Sequence, residues 1–278
     1  MSRTTRIGGA ARLAGAAAVA GAAALAIAIG AGCTKAPAER PGPAETFTWV
    51  RQPIAFSPPP AQWYREGDNG GGMLGVRFIL TGGGGQCISV LAYRMMADRD
   101  RSEALRGLVA RGGSLPRRLF LDSLSLARPR TEDPISERES AMARELNAAL
   151  DRAMEDYLSE RTNFVSGDLE AALRIASAYE PTMEEVLPRI RLVPSRMQEP
   201  ERWRIAYERD TTLAGLPAFA SDDTLITPDR PLLYREVFWV VHGCAFKAVY
   251  QGTDENLKTF YRVVDSIRFP EVADATAK

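Results

Sequence analysis

Between Phe47 and Met96 the chain alternates short apolar runs with Gly and Pro, the pattern of strands divided by turns. The clearest runs are Val76–Leu80 and Cys87–Tyr93, with a further strand predicted at Ile54–Phe56 before three consecutive prolines. From Asp98 to about Met197 the spacing of apolar positions changes to three or four residues. Its strongest stretch is Ser136–Glu160, where Met142, Leu146, Ala149, Leu150, Ala153, Met154, Tyr157 and Leu158 share one helical face. A second helix is predicted from Gly167 to Tyr179, ending before Pro181. From Trp203 the strand pattern returns. Arg235–Val241 and Cys244–Tyr250 flank His242-Gly243, a two-residue hairpin turn that sets Val241 opposite Cys244 and Trp239 opposite Phe246. A last helix presents Leu257, Phe260, Tyr261, Val264 and Ile267, capped by Thr253 or Asp254 and stopped before Pro270. Strands at both ends with helices between them predict the α+β class: one antiparallel sheet packed with helices, carrying a helical insertion at about 98–200.

Composition adds limits. The chain balances 35 Lys+Arg against 35 Asp+Glu, with a single His among its 278 residues. A nucleic-acid binder carries a basic excess, so no nucleic-acid partner is expected. One imidazole leaves few ways to build a catalytic triad or a zinc site.

Residues 1–32 differ from the rest. Arg3, Arg6 and Arg12 form a basic start, and an uncharged run of Leu, Ala, Val, Ile and Gly then reaches Gly32. This is the pattern of an export signal. Gly30-Ala31-Gly32-Cys33 resembles the lipobox of bacterial lipoproteins, with Gly30 where that family usually has Leu. The resemblance implies that the Cys33 thiol receives a diacylglyceryl group and becomes the acylated N-terminus. Removing residues 1–32 takes away three arginines and no acids, which leaves 32 basic groups against 35 acidic ones. Lipid, and no polybasic patch, would then hold the protein on the membrane. Residues 33–46 carry Pro37, Pro41 and Pro43 and read as a semi-rigid tether. A single domain is expected at 47–271, followed by a disordered tail at 272–278.

The two strand-rich ends carry a second likeness. Ile54–Trp63 (IAFSPPPAQW) resembles the strand, prolines and Trp that open PsbP-like domains. The stretch from Glu236 through the last helix resembles their final hairpin and helix. Photosystem II accessory proteins, a Ran-binding nuclear transport factor and many bacterial lipoproteins share that fold. The resemblance implies an accessory or partner-binding role and assigns no catalytic residue. The central helical stretch has no counterpart in it.

Candidate chemistry is sparse. Gly70-Gly71-Gly72-Met73-Leu74-Gly75 satisfies G-x-G-x-x-G, but a strand-like run follows it where a dinucleotide site needs a helix N-terminus. Gly82–Gly85 lacks the Lys-Ser/Thr of a phosphate loop and reads as a turn. No nucleotide, cofactor or metal is expected. His242 suits the hairpin turn, because His tolerates positive φ. Acids on the long helix (Glu145, Asp151, Glu155, Asp156, Glu160) alternate with Arg144, Arg152 and Arg161 as a salt-bridged, solvated face. Asp122 receives no role. Trp49, Trp63, Trp203 and Tyr64 are candidates for a ligand groove or, more simply, for the core. Cys87 and Cys244 form an even pair in an exported chain and are a candidate disulfide joining the two ends of the sheet.

The expected protein is a non-enzymatic accessory or binding module, anchored in the cell envelope by the lipid on Cys33, with another envelope protein as partner. Two alternatives stand beside it: an envelope enzyme whose acids converge from distant segments, and a docking component of an envelope complex. Cys33→Ala is expected to release the protein from membranes or to leave the uncleaved precursor. Unchanged mass and unchanged membrane partition would refute lipidation.

Overall fold

Gly and Pro punctuation yields nine strands in the computed structural model, which describes residues 43–68, 73–129, 135–159, 167–190, 200–227 and 230–271. The signal segment, Cys33, most of the tether, the glycines at 70–72 and the tail at 272–278 lie outside the described residues. Two short strands, β1 (Glu45–Phe47) and β2 (Ile54–Phe56), pair antiparallel with each other. The first strand thus starts inside the expected tether: Glu45 pairs with Phe56, and its carboxylate meets Arg65 at 2.7 Å.

The other seven strands are β3 (Trp63–Asp68), β4 (Met73–Leu80), β5 (Cys87–Tyr93), β6 (Trp203–Leu213), β7 (Leu216–Leu225), β8 (Leu232–Val241) and β9 (Cys244–Gly252). They form one antiparallel sheet in the order β3-β4-β5-β9-β8-β7-β6. The first half of the chain contributes three strands and the last part four, and they meet where β5 pairs with β9. Val241 lies opposite Cys244 and Trp239 opposite Phe246, the register expected from the two-residue turn. Gly75 sits within β4, and a Cβ there would come 2.2 Å from the Val90 carbonyl oxygen of β5. That close approach, with a strand in place of a helix, accounts for the last glycine of the Gly-rich motif.

Among the described residues, five α-helices lie between β5 and β6: α1 (Arg99–Arg111), α2 (Arg117–Ala127), α3 (Glu137–Leu158), α4 (Gly167–Ser177) and α5 (Met183–Ile190). A sixth, α6 (Asp254–Asp265), follows β9. Strand alternation assigns each residue to one face of the sheet. Even positions of β9, such as Phe246 and Tyr250, pack with Phe260, Val263 and Val264 of α6 and with Ile54 and Phe56 of β2. The opposite face carries Leu91, Tyr93, Phe238 and Ala245 and packs against Leu105, Phe120, Leu146, Leu150 and Leu169 of the insertion. The fold is α+β, with an antiparallel sheet covered by helices on both faces.

Gln86, just before β5, holds the junction. Its buried Oε1 accepts from the Thr253 N–H at 3.2 Å, from Asn256 Nδ2 at 3.0 Å and from the Thr253 hydroxyl at 3.3 Å. Thr253 occupies the N-cap position of α6 and its side chain makes no cap bond; its N–H and hydroxyl both turn to Gln86.

The expected disulfide does not form. Cys87 lies opposite Gln251 on β9, seven residues from Cys244. At about 3.4 Å per residue the two are roughly 24 Å apart. The odd separation also puts them on opposite faces of the sheet. A bridge needs Cα atoms within about 7 Å.

Ser136 caps α3, accepting from the Glu139 N–H at 3.1 Å. The Glu139 carboxylate reaches back in the manner of a capping box, but to Ile135 N–H (2.7 Å) and across to Met96 N–H (3.1 Å). It is wholly buried, so the insertion is tied to the end of β5 by an interior carboxylate. Burial raises its pKa above 4.5; the two backbone N–H groups, the Arg101 charge and the Tyr93 hydroxyl act in the opposite direction. A carboxyl whose folded pKa lies above its unfolded value stabilises the fold most below about pH 4.5, and that contribution is lost as pH rises through the folded pKa. Glu139→Gln is expected to remove this decline, which has a limiting slope of about 1.4 kcal/mol per pH unit. It is also expected to destabilise the fold by about 1–3 kcal/mol, because Gln has one acceptor oxygen and leaves either Ile135 N–H or Met96 N–H without a partner. Denaturant midpoints measured across pH check both effects; superimposable profiles for the two proteins would refute the assignment.

Candidate functional site

The end of the sheet where β8 turns into β9 borders a cleft of about 540 Å³. Its walls are residues 48–53, the start of α1, His242 and Glu271. Local folding places each one. Val50 bridges to Asp98, and Arg51 N–H donates to the Ala97 carbonyl at 2.9 Å, which sets the 48–53 segment beside the N-terminus of α1. Asp98 caps α1 by accepting from the Arg101 N–H at 3.2 Å. Arg99, Ser102, Glu103 and Arg106 then share one helix face by their three- and four-residue spacing, and all four line the cleft. His242 and Gly243 have φ of +46° and +70°, the two positive values that a type I′ hairpin turn requires. The turn predicted from His-Gly therefore carries the imidazole to the cleft, exposed.

Arg51 anchors the floor. Its guanidinium donates to the Tyr179 carbonyl at 2.8 Å, to Gly243 at 3.3 Å and to Ala176 at 3.4 Å. One cation thus holds the C-terminal turn of α4, the chain after it and the β8–β9 turn, where helix carbonyls favour positive charge. Its Nε is buried without a hydrogen-bond acceptor among the described residues. Cys244 lies beside it, fully buried. Burial pushes the Cys244 thiol up, with the Gln52 N–H and Arg51 opposing, so it stays protonated and acts as a small apolar side chain.

The charges of the cleft are unevenly committed. Arg99 meets Glu103 at 2.7 Å and the Thr48 hydroxyl at 2.9 Å. Ser102 turns its hydroxyl to the Asp98 carbonyl at 3.0 Å. Arg106 and His242 make no hydrogen bond or ion pair among the described residues. Glu271 follows Pro270, whose carbonyl accepts from the buried Gln52 amide at 3.0 Å. Three arginines and an imidazole against two carboxylates make this a net basic cleft with an apolar contribution from Val50 and Pro53. Such a surface binds carboxylate or phosphate oxygens, and arginine offers them planar, paired donors.

Other candidates are dispersed. Trp63 is in the core, Trp49 stacks near Phe47 at 4.7 Å, and Trp203 meets Tyr234 edge-on at 5.6 Å. Trp63 and Trp203 stand on opposite edge strands, so no aromatic groove joins them. Asp122 is exposed, 3.9 Å from Arg118. The charges of α3 bond to neighbouring segments more than along the helix: Arg152 meets Asp168 of α4 at 2.8 Å, and Asp151 meets Arg128 after α2. Among the described residues no cluster of His, Cys, Asp and Glu is arranged to hold a metal, and no helix is long and apolar enough to cross a membrane. Sequence reasoning missed Arg51, Arg106 and the buried Glu139. Only Glu139 left a signal, the Ser-x-x-Glu spacing.

No known protein family matches the chain, and no curated protein does. Among solved structures it is similar to the solution structure of cyanobacterial PsbP (CyanoP) from Synechocystis sp. PCC 6803. The TM-score is 0.37 and the identity 10%, over 78% of this chain and 86% of that one. At that level the architecture is read from the chain's own topology.

Gly243 generates a direct prediction. A Cβ there would lie 2.5 Å from the Arg51 guanidinium and 2.8 Å from the Tyr179 carbonyl oxygen, at a backbone angle that side chains rarely adopt. Gly243→Ala is expected to cost about 1–3 kcal/mol and to dislodge Arg51. An unaltered denaturation midpoint would show that the turn does not depend on this glycine.

Proposed function

We propose that this chain is a lipid-anchored accessory module of the cell envelope that receives an acidic, extended segment of a partner protein in the cleft beside His242. The observation that carries the reading is the state of the cleft's basic side chains. Arg106 and His242 face it without a protein partner among the described residues. A volume of about 540 Å³ suits a few side chains of an extended peptide. The hydroxyl of Ser102 is bonded away from the imidazole, and the only cysteine in the neighbourhood is buried and protonated, so the arrangement favours binding over nucleophilic chemistry. Support for the envelope setting comes from the export signal and the lipobox-like Gly30–Cys33, and for an accessory role from the PsbP-like character of both ends of the sequence.

Titration of the full chain in detergent with a fluorescent hexaglutamate peptide tests the binding reading. Saturable binding is expected, weakened by added salt. Arg106→Glu is expected to weaken it about tenfold, equivalent to about 1.4 kcal/mol. Equal affinity in wild type and Arg106→Glu, or equal binding of a hexalysine peptide, would refute the acidic-segment assignment.

A further inference from the structure

The wall of the cleft formed by α1 carries its charges in a fixed order. Arg99, Ser102, Glu103 and Arg106 all line the cavity, which therefore runs along two turns of the helix. Arg99 and Arg106 are seven residues apart. That returns them to nearly the same side of α1, about 10 Å from each other along its axis. Both are exposed, but they differ in what they meet. Arg106 makes no ion pair or hydrogen bond among the described residues. Arg99 holds the Glu103 carboxylate at 2.7 Å and the Thr48 hydroxyl at 2.9 Å.

Glu103 thus stands on Arg99 as the carboxylate of a ligand would, and three features make it displaceable. About half of each side chain is open to solvent, 49% for Arg99 and 55% for Glu103, and an ion pair in that setting is weak. Arg precedes Glu by four residues, the less favourable order along a helix. Arg99 is also the first residue of α1, where the partial positive charge of the helix end opposes a cation and favours an anion. Of the acids at that end, Asp98 already accepts from the Arg101 N–H at 3.2 Å, and Asp100 lies outside the cleft wall. Glu271, the other acid of the cleft, comes from the segment after Pro270 and not from α1.

The distance between the two arginines selects a ligand. In a β-like peptide, side chains on one side recur every two residues, at about 7 Å and then about 14 Å, and neither matches. In the polyproline-like form they recur every three residues, at about 9 Å. Acids separated by two residues then face Arg106 and Arg99 together.

We propose that α1 reads a pair of acidic residues three positions apart in an extended partner segment, one on Arg106 and one on Arg99, with Glu103 holding Arg99 until the second acid displaces it. This rests on the acidic-segment reading given above. It adds the spacing that the cleft selects and the residue that resists occupancy.

The test uses the full chain in detergent and three fluorescent hexapeptides of one composition: Pro-Glu-Pro-Pro-Glu-Pro, Pro-Glu-Pro-Glu-Pro-Pro and Pro-Glu-Glu-Pro-Pro-Pro. Their charge is the same, so spacing alone differs. The first is expected to bind about fivefold more tightly than either of the others. Glu103→Gln is expected to tighten its binding by a further factor of about five, and in an Arg99→Gln background both the preference and that gain should vanish. Equal affinity for the three peptides, with binding of hexaglutamate retained, would overturn this inference and leave the acidic-segment reading in place. A gain from Glu103→Gln that persists without Arg99 would reveal a general charge effect and overturn the role given to Glu103. Failure of the wild type to bind hexaglutamate at all would remove the underlying reading, and this inference with it.

Discussion

Pairing of β5 with β9 is the constraint on which the rest of the molecule depends. It joins Ile88 to Tyr250 and Ala92 to Phe246 across more than 150 residues of chain. Contacts this distant in sequence bring no return until the loop is closed, so the sheet is expected to form late and cooperatively. Once formed, it brings the two strand-rich ends into one core. The described helices of the insertion then pack against a single face of the sheet. Gln86 reinforces the seam, because a buried amide at the start of β5 takes the donors at the start of α6. The hydrogen bonds of the ladder and the cap of the last helix therefore stand or fall together.

The insertion is attached to the sheet by apolar packing and by one interior charge. Glu139 takes backbone donors from both sides of the boundary, Met96 after β5 and Ile135 before α3. Leaving either N–H without an acceptor inside the protein would cost about 1–3 kcal/mol, so the carboxylate offsets part of its own desolvation by satisfying both. Arg51 does the corresponding work at the other end. It gathers carbonyls from the region after α4 and from the β8–β9 turn. The cleft lies between α1 and the hairpin turn, and Arg51 ties its 48–53 wall to that turn.

The cleft is concave and lined in part by Arg51, Arg106 and His242. On the reading proposed above, it takes acidic groups presented by a partner protein.

Local pattern carried much of this architecture. Ile54–Phe56 and Cys87–Tyr93 could be read as strands because apolar runs between turn residues have few other uses, and both occur with those limits. The His242-Gly243 turn determined register through its length alone, since a two-residue loop leaves one pairing open to the flanking strands. The helical spacing from Ser136 located α3, which Ser136 itself caps. The candidate site was far less legible. His242 was visible, but Arg51 and Arg106 look like any other arginine until the fold sets them around one cleft. The pairing of Cys87 with Cys244 failed for the same reason. An even pair in a chain expected to be exported leaves a bond open, while strand register alone says which thiols can meet, and here it separates them by most of a strand. The sequence by itself determined the strand-rich ends, the helical middle and the hairpin, because these depend on residues close together in the chain. Tertiary structure decided which distant residues share a cavity and which carboxylate is buried, because each of those depends on what packs against the residue from elsewhere.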